Sequence, residues 1–402
     1  MNDTTETPSC PRNIWPSRWV SLLCLGALLL ATACSVSQTD SDPPSEFGLV
    51  IQPDGDPSLS DHYEGVSEAH PIYEMGLHIH DPSRVVRYGD TRMIARSGSE
   101  QNGGYECGLE TWWLEGEEWR PGQCLLIDKP TWTQAFTPGN GGAYWAPTFG
   151  PDANRIYYTA SNMSDEDGGC LGLLEGEGQP PTMRWTDVGQ PLACFYDSDP
   201  GSGPTTGLDP AYFESAEGDP YLVFGGGEIY VAALDPDTGL IRGDPVWSEN
   251  NPSYQRVASR TNQSPLEGSD EAPWMEAAFI QESEGAYFLF VNLGHCCLGL
   301  ESTYEIHVGR SERPTGPFLD RDGIDLRDGG GTLFLDREGE RLGDNRYLGP
   351  GHTGIAELSD GRFVFTFHYY DRQNDGTPWI GAAEYVLEDG WPSVRPAADW
   401  VW

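Results

Sequence analysis

Short segments in which apolar and polar residues alternate run through most of this chain. Residues 303–309 place Tyr304, Ile306 and Val308 on one face, and a period of two is typical of a half-buried β-strand. Further strand candidates lie at residues 156–160, 221–224, 229–234, 287–292, 363–368 and 382–387. No long segment has helical periodicity, and 50 glycines and 32 prolines supply frequent turns. The pattern therefore predicts an all-β fold.

The composition limits the size of the fold and the class of partner. A chain of 402 residues can form one large domain or two ordinary ones, and its 14 Trp, 18 Tyr and 14 Phe residues can build a substantial core. The formal net charge of −40 argues against nucleic acid or an anionic membrane surface as a partner. We interpret this charge as a solvated acidic surface, because no repeated ligand spacing indicates a series of metal sites.

The N-terminal residues have the features of a bacterial export signal. Arg12 and Arg18 precede an apolar run at residues 20–30, which is too short to span a bilayer comfortably. Small residues and then Cys34 follow this run, an order that resembles a bacterial lipobox with Cys34 as the lipid-bearing residue. The alternative is a plain signal peptide with an incidental cysteine. Ser35 after the cysteine indicates the outer membrane, on its periplasmic or cell-surface side, if the host is Gram-negative.

These features predict three regions along the chain. Residues 1–34 are the lipoprotein signal peptide. Residues 35–69, rich in Ser, Asp, Pro and Gly, form a flexible tether. Residues 70–402 form the folded domain.

The cysteine pattern suits disulfide bonds in an exported protein. Removal of the signal and lipidation of Cys34 leave six cysteines, an even number. We favour the local pairs Cys107–Cys124 and Cys170–Cys194. The adjacent Cys296 and Cys297 form a vicinal bridge or remain thiols. No CxxC pair is present, which argues against a zinc site.

Five short motifs follow one another between residues 292 and 332. They are Cys296-Cys297, Ser302-Thr303-Tyr304, Val308-Gly309-Arg310-Ser311, Gly316-Pro317 and Gly329-Gly330-Gly331-Thr332. In this order they resemble the arabinanases of glycoside hydrolase family 43. The resemblance implies a five-bladed β-propeller, a number that periodicity alone does not give. It also implies a hydrolase that inverts the anomeric configuration.

Three acidic residues are candidates for the chemistry of glycoside hydrolysis, which uses paired carboxyl groups. Asp81, Asp209 and Glu271 each stand one or two residues before a proline, which favours extended backbone and the start of a strand. Asp-Pro pairs are also common in turns, so the dipeptide alone is weak evidence. The resemblance implies that Asp81 is the general base, that Glu271 in Glu-Ala-Pro is the general acid, and that Asp209 raises the pKa of that acid. Glu276 is the alternative acid.

The resemblance also suggests residues that bind substrate and an ion. His80 precedes the base, and Trp145 and Trp274 offer aromatic rings for sugar stacking, although either tryptophan can instead be a core residue. Thr148 departs from the Trp-Ala-Pro-Asp of the family. His352, in Gly-Pro-Gly-His, is expected to contact a calcium ion on the propeller axis. The alternative is a hydrogen-bonded core histidine, since calcium prefers oxygen ligands.

The sequence thus predicts an inverting hydrolase that cleaves α-1,5-linked L-arabinan internally. The expected partner is a plant cell-wall polysaccharide, arabinan or arabinoxylan, and the expected state is a monomer. One alternative is an exo-acting α-L-arabinofuranosidase or β-xylosidase of the same family. Another is a non-catalytic surface glycan-binding lipoprotein.

Overall fold

The computed structural model describes residues 73–74 and 79–395, except residues 100–106, 117, 127, 141, 143, 162–168, 180–181, 196–206, 249–250, 267–269, 271 and 344. The predicted signal peptide, Cys34 and the predicted tether lie outside the described residues, and so does Glu271. Among the described residues, no helix has the length and apolar character needed to cross a bilayer.

Antiparallel strands dominate the described structure. In chain order they are β1 (Tyr73–Glu74), β2 (Val86–Tyr88), β3 (Thr91–Ser99), β4 (Cys107–Glu115), β5 (Glu118–Cys124), β6 (Trp145–Phe149), β7 (Arg155–Ser161), β8 (Gly169–Glu177), β9 (Arg184–Asp187), β10 (Ala193–Phe195), β11 (Ala211–Glu214), β12 (Pro220–Phe224), β13 (Glu228–Ala233), β14 (Gln255–Ser259), β15 (Met275–Ser283), β16 (Ala286–Leu293), β17 (Glu305–Ser311), β18 (Thr332–Leu335), β19 (Tyr347–Glu357), β20 (Phe363–Asp371), β21 (Thr377–Glu388) and β22 (Trp391–Arg395). The described part also contains a short α-helix, α1 (Thr133–Phe136), and 3₁₀ turns at Pro151–Ala153, Gly299–Glu301, Leu326–Asp328 and Glu340–Leu342.

The strands form five sheets, each of which is one blade of a propeller. The first four blades are β2–β5, β6–β10, β11–β14 and β15–β18, and β19–β22 form the fifth. Strand β1 pairs with β21 at the outer edge of the fifth blade, with Tyr73 opposite Ala382. The earliest described strand therefore closes the ring on the last blade and covers part of an exposed sheet edge.

The apolar core lies between neighbouring blades. Ile79 and Val85 of the first blade pack with Val364 and Ile380 of the fifth, which seals the ring. The largest cluster joins the third, fourth and fifth blades, and within it the rings of Phe290 and Phe365 are 6.1 Å apart. Each fully buried side chain of this kind stabilises the fold by about 1.5–3 kcal/mol, so packing between blades holds the ring rigid.

Each blade contributes one non-glycine residue with left-handed backbone near the start of its innermost segment. These residues are Asp81 (φ 48°), Ala146 (φ 47°), Asp209 (φ 49°), Ala277 (φ 51°) and His352 (φ 58°). The prediction that Asp81 and Asp209 are extended because proline follows them is therefore wrong. Asp tolerates this conformation better than most residues, and hydrogen bonds to both side chains offset a cost of about 1–3 kcal/mol.

Most of the predicted architecture is confirmed. All seven predicted strands fall on observed ones, namely β7, β12, β13, β16, β17, β20 and β21. The five-bladed fold is present, and the pairs Cys107–Cys124 and Cys170–Cys194 are bonded. Cys296 and Cys297 form the vicinal bridge rather than free thiols.

Candidate active site

A cavity of about 680 Å³ opens at one end of the propeller axis. All five blades contribute to its wall. Polar, sulfur-containing and aromatic side chains line the cavity. They are His80, Asp81, Arg96, Ser97, Trp145, Asp209, Glu276, Cys296, Cys297, Tyr304 and Tyr370. The left-handed residues of the innermost segments lie among or beside these groups. Because every blade places such a residue near the axis, carboxyl groups that are far apart in sequence meet in the cavity.

Asp81 is held by donors on both carboxylate oxygens. The Ser97 hydroxyl donates to Oδ2 at 2.8 Å, and His80 Nδ1 lies 2.8 Å from Oδ1. His352 Nδ1 and His368 Nδ1 lie 3.6 and 3.8 Å from the same Oδ1. Burial acts to raise the pKa of Asp81, but the charge and hydrogen bond of His80, with the other two imidazoles, bring that pKa below its ordinary value. Asp81 is therefore ionised at neutral pH.

Asp209 reaches from the third blade to the fourth. Its Oδ2 accepts a hydrogen bond from the backbone N–H of Ala277 at 2.9 Å, and its own N–H donates to Thr159 Oγ1 at 3.0 Å. Burial and then the negative charges of Glu276 and Asp81 raise the pKa of Asp209 well above its ordinary value. Asp209 thus lies close to Glu276 and shares its electrostatic environment.

Glu276 is the third carboxyl group of the pocket. Trp274 Nε1 donates to its Oε2 at 2.8 Å, and the Tyr304 hydroxyl makes a short hydrogen bond to its Oε1. Burial raises the pKa of Glu276, with a further contribution from Asp81, and the Tyr304 and Trp274 hydrogen bonds only partly oppose this. The site therefore combines a carboxyl group with a lowered pKa, Asp81, and one with a raised pKa, Glu276, as acid–base catalysis by two carboxyl groups requires.

The model of the family described as Glycosyl hydrolases family 43 matches residues 79–392, a range that includes Asp81, Asp209, Glu276 and nearly all strands of the five blades. The chain belongs to glycosyl hydrolases family 43. It is therefore a glycoside hydrolase, and the family predicted from the sequence is confirmed.

Several proteins of similar sequence, among them proteins of known structure, carry arabinan-related names. "Extracellular exo-alpha-(1->5)-L-arabinofuranosidase ArbA" of Cellvibrio japonicus is 26% identical over 79% of this chain and 86% of its own length. "Extracellular endo-alpha-(1->5)-L-arabinanase 1" of Bacillus subtilis is 26% identical over 78% of this chain and 87% of its own length. The solved exo-1,5-alpha-L-arabinanase from a bovine ruminal metagenomic library is 26% identical, covers 82% of this chain and 99% of its own, and superposes with a TM-score of 0.64.

Among the described residues, Glu276 is the glutamate of the fourth blade that lines the pocket, whereas the sequence motif pointed to Glu271. Glu271 lies outside the described residues, so its predicted role stays a prediction. Glu276 is the second residue of β15, at the axis end of that strand, which places its side chain in the pocket beside Asp209. The sequence 276–278 is Glu-Ala-Ala, which keeps the Glu-Ala of the expected motif and lacks its proline.

The predicted substrate-binding residues have different surroundings. Trp145 lines the pocket, as a stacking residue should. Trp274 instead donates to Glu276, and the Arg260 guanidinium lies over its ring at 5.2 Å, which occupies one face. His80 lines the pocket, but both ring nitrogens already have protein partners, Asp81 and Tyr370. Trp145 is thus the predicted residue whose setting best suits sugar stacking.

His352 lies beside Asp81, in an irregular stretch of β19 that Asn292 holds in place. The buried Asn292 side chain accepts the N–H of His352 at 3.0 Å and donates to the Pro350 carbonyl at 3.1 Å. Calcium takes six to eight oxygen ligands, whereas the groups near His352 are imidazoles and the Asp81 carboxylate. An ion at His352 therefore fits only with water supplying most of its ligands.

Four residues of the site carried no signal of their role in the sequence. Ser97 and Arg96 belong to β3, in a region without family motifs, and Arg96 pairs with Glu110 at 2.9 Å. Tyr304 appeared in a predicted strand and in a family motif without an assigned role, and Tyr370 lies just beyond the predicted strand at residues 363–368. Gly351 explains how Tyr304 reaches Glu276, since a side chain at position 351 would meet the Tyr304 ring at 2.5 Å. The glycine in Gly-Pro-Gly-His was the available clue to this close approach.

Proposed function

We propose that this protein hydrolyses α-1,5-linked L-arabinan with inversion of the anomeric configuration. The observation that carries the proposal is the convergence of Asp81, Asp209 and Glu276 in one pocket, with the pKa of Asp81 lowered and that of Glu276 raised. The arabinan substrate is supported by the names of the relatives, which share about a quarter of their residues with this chain. Inversion comes from the family resemblance.

Asp81 acts as the general base in this proposal. Its ionised carboxylate accepts a proton from the water that attacks the anomeric carbon. The Ser97 and His80 hydrogen bonds fix both oxygens, so the carboxylate does not rotate away from that water. The lowered pKa of Asp81 keeps the base available down to acidic pH.

Glu276 acts as the general acid and donates its proton to the glycosidic oxygen as the bond to the anomeric carbon breaks. Trp274 and Tyr304 hold one oxygen each, which fixes the carboxyl plane. Asp209 and Glu276 repel each other when both are ionised, so ionisation of either one favours the protonated form of the other. At the end of the cycle Asp81 holds a proton and Glu276 has lost one, and exchange with solvent restores both.

The ion and the substrate contacts extend this proposal. Trp145 offers a ring for the apolar face of a sugar, with a gain of about 0.5–1.5 kcal/mol beyond simple burial. A calcium ion on the axis, held by His352 and water, supplies positive charge beside Asp81 when bound. Every proton transfer described above is carried out by the chain's own residues.

We further propose that cleavage is internal and that the protein is exported and anchored through Cys34. The anchor rests on the lipobox-like residues before Cys34. Both characterised relatives are called extracellular, but one is named as an exo enzyme and the other as an endo enzyme. Exo action is therefore the second candidate. Endo and exo action differ in the size of the first products that are released from a long arabinan chain.

The test is a substrate panel of linear arabinan, xylan and aryl glycosides, with reducing-sugar release and product sizes measured. We expect release from linear arabinan, with mixed oligosaccharides for internal cleavage and one small product for exo action. Asp81→Asn should abolish release, whereas Asp360→Asn, at an exposed turn, should leave it unchanged. Binding of arabinan without turnover by the unaltered protein would support a glycan-binding protein instead.

A further inference from the structure

The vicinal disulfide lies at the wall of the catalytic pocket and is accessible to solvent. Cys296 is partly exposed and Cys297 is exposed, and both line the cavity. The backbone N–H of Cys297 donates to the Tyr370 hydroxyl at 2.7 Å, and Cys297 Sγ lies 3.7 Å from His80 Nε2. The Cys296–Cys297 turn therefore contacts Tyr370 of the fifth blade and His80 of the first, the residues that lead to Asp81.

A continuous series of hydrogen bonds leads from this turn to Asp81. Tyr370 Oη lies 2.8 Å from His80 Nε2, and His80 Nδ1 lies 2.8 Å from Asp81 Oδ1. The His80 ring also stacks on His368, with ring centroids 4.2 Å apart. Tyr370 is almost fully buried, so its hydroxyl is fixed between the Cys297 N–H and the imidazole. The position of His80, and through it the orientation of Asp81, depends on these contacts.

We propose that Tyr370 and the Cys296–Cys297 disulfide turn are positioning groups for Asp81, and that reduction of this disulfide lowers turnover. The proposal rests on the proposed role of Asp81 as general base. Neither group touches the reacting atoms in this account. Both act through His80, which keeps Asp81 Oδ1 in the orientation that water activation needs.

The disulfide matters because Cys297 has left-handed backbone, with φ of 68°. That conformation is unfavourable for a residue with a side chain, and the covalent bridge to the preceding residue limits the alternatives. Dithiothreitol reduces the bridge with two electrons from its two thiols and closes to a cyclic disulfide. The Cys296–Cys297 S–S bond breaks, and each cysteine sulfur gains a proton. The freed turn can then relax, and the Cys297 N–H is no longer held against Tyr370.

The experiment measures kcat and KM on linear arabinan for the unaltered protein, Tyr370→Phe, the Cys296→Ser/Cys297→Ser double variant, and their combination. Misplacement of a catalytic group by about 1 Å costs up to about a hundredfold, so we expect each change to lower kcat by about tenfold or more. KM should change much less. The combination should lose little beyond Tyr370→Phe alone, because both changes break the same series of contacts. Additive losses, or unchanged kcat in Tyr370→Phe, would overturn the proposal.

Two controls separate positioning from general damage. Tyr385→Phe removes another buried hydroxyl of the fifth blade, which lies 3.4 Å from Ser283 Oγ of the fourth, and should leave kcat unchanged. Dithiothreitol should lower kcat of the unaltered protein but have no effect on the Cys296→Ser/Cys297→Ser variant, which keeps the other two disulfides. An equal loss in both would assign the effect to those other bridges and overturn the proposal.

The conservative replacement of His80 supplies an independent readout. An asparagine amide N–H can reproduce the Nδ1 donor, so His80→Asn should retain more kcat than His80→Ala. Equal losses in the two variants would contradict a positioning role. If Asp81→Asn stays active, the proposed general base is wrong. If Asp81→Asn is inactive while Tyr370→Phe is unaffected, only the positioning proposal fails.

Discussion

Replacement of Glu276 by glutamine removes the proton of the general acid while keeping the shape of the side chain. The glutamine oxygen can accept only one of the two hydrogen bonds that Glu276 receives, from Trp274 Nε1 and the Tyr304 hydroxyl. The donor that then faces the amide NH₂ loses its partner, at a cost of about 1–3 kcal/mol in the free energy of unfolding. A modest fall in Tm is therefore expected alongside the kinetic effect.

The kinetic effect depends on the leaving group. General acid catalysis contributes about 10²–10⁴-fold, which equals about 2.7–5.4 kcal/mol of barrier at about 1.36 kcal/mol per decade. Linear arabinan needs this proton because its leaving group is an alcohol. An aryl arabinofuranoside with a nitrophenol leaving group needs it far less, because the phenolate departs unaided. The Glu276→Gln loss of kcat should thus be large on arabinan and small on the aryl substrate.

The assay measures kcat on both substrates for Glu276→Gln and Glu271→Gln, with Asp81→Asn as the reference for loss of the base. Asp81→Asn should damage both substrates alike, since water must be activated in either case. Glu271→Gln should resemble the unaltered protein. The reasoning is refuted if Glu271→Gln shows the leaving-group dependence, or if Glu276→Gln loses equal activity on both substrates.

Four further predictions follow from the same contacts. Asp209→Asn removes the repulsion that arises when both carboxyl groups are ionised, so Glu276 should lose its proton more easily. The fall in kcat at alkaline pH should then begin at a lower pH, as a pH–rate profile would show. Trp274→Phe removes a hydrogen bond that favours the ionised form of Glu276, so the alkaline limb of the pH–rate profile should move to higher pH. A shift to lower pH, as expected for Asp209→Asn, would be inconsistent with the assigned contacts. A shell of His352 and water should hold calcium weakly, so exhaustive chelation should lower kcat and added calcium should restore it. If elemental analysis finds no bound metal and the protein is still fully active, His352 acts only as a charge partner of Asp81. Cys34→Ala should move the protein from the membrane fraction to the soluble fraction or leave it unprocessed, and unchanged partitioning on fractionation would argue against lipidation.

The sequence predicted the fold well because the fold depends on patterns that a sequence displays directly. Alternation identified seven of the seventeen described strands of the second to fifth blades, where side chains pack between neighbouring sheets. It did not identify β2–β5 of the first blade, which have few regular alternations and include Pro121 and Gly122 within β5. The count of five blades came from family motifs, because the strand period is the same in every propeller.

The proposed general acid was harder to predict from the sequence because two glutamates lie five residues apart. Glu271 precedes Ala272-Pro273 and so fits the expected tripeptide, whereas Glu276 lacks the proline. What distinguishes Glu276 is its place at the axis end of β15, next to Ala277 in left-handed backbone. No local motif encodes that conformation at an alanine, and only the comparison of all five blades reveals it.

The supporting residues show a second limit of sequence reasoning. Ser97 bonds to Asp81 within the first blade, and Tyr370 of the fifth blade bonds to His80 of the first. Such contacts join residues 16 and 290 positions apart. Their importance follows from burial and geometry, which the sequence does not state.

The most direct test of the central claim is a crystal structure of the Glu276→Gln variant with a linear arabino-oligosaccharide. We expect the sugar to cross the pocket, with a glycosidic oxygen about 3 Å from the amide at position 276 and a water held by Asp81 on the opposite side of the anomeric carbon. An oligosaccharide bound elsewhere, or one whose glycosidic oxygen faces Glu271 instead, would contradict the assignment of Asp81 and Glu276 as base and acid.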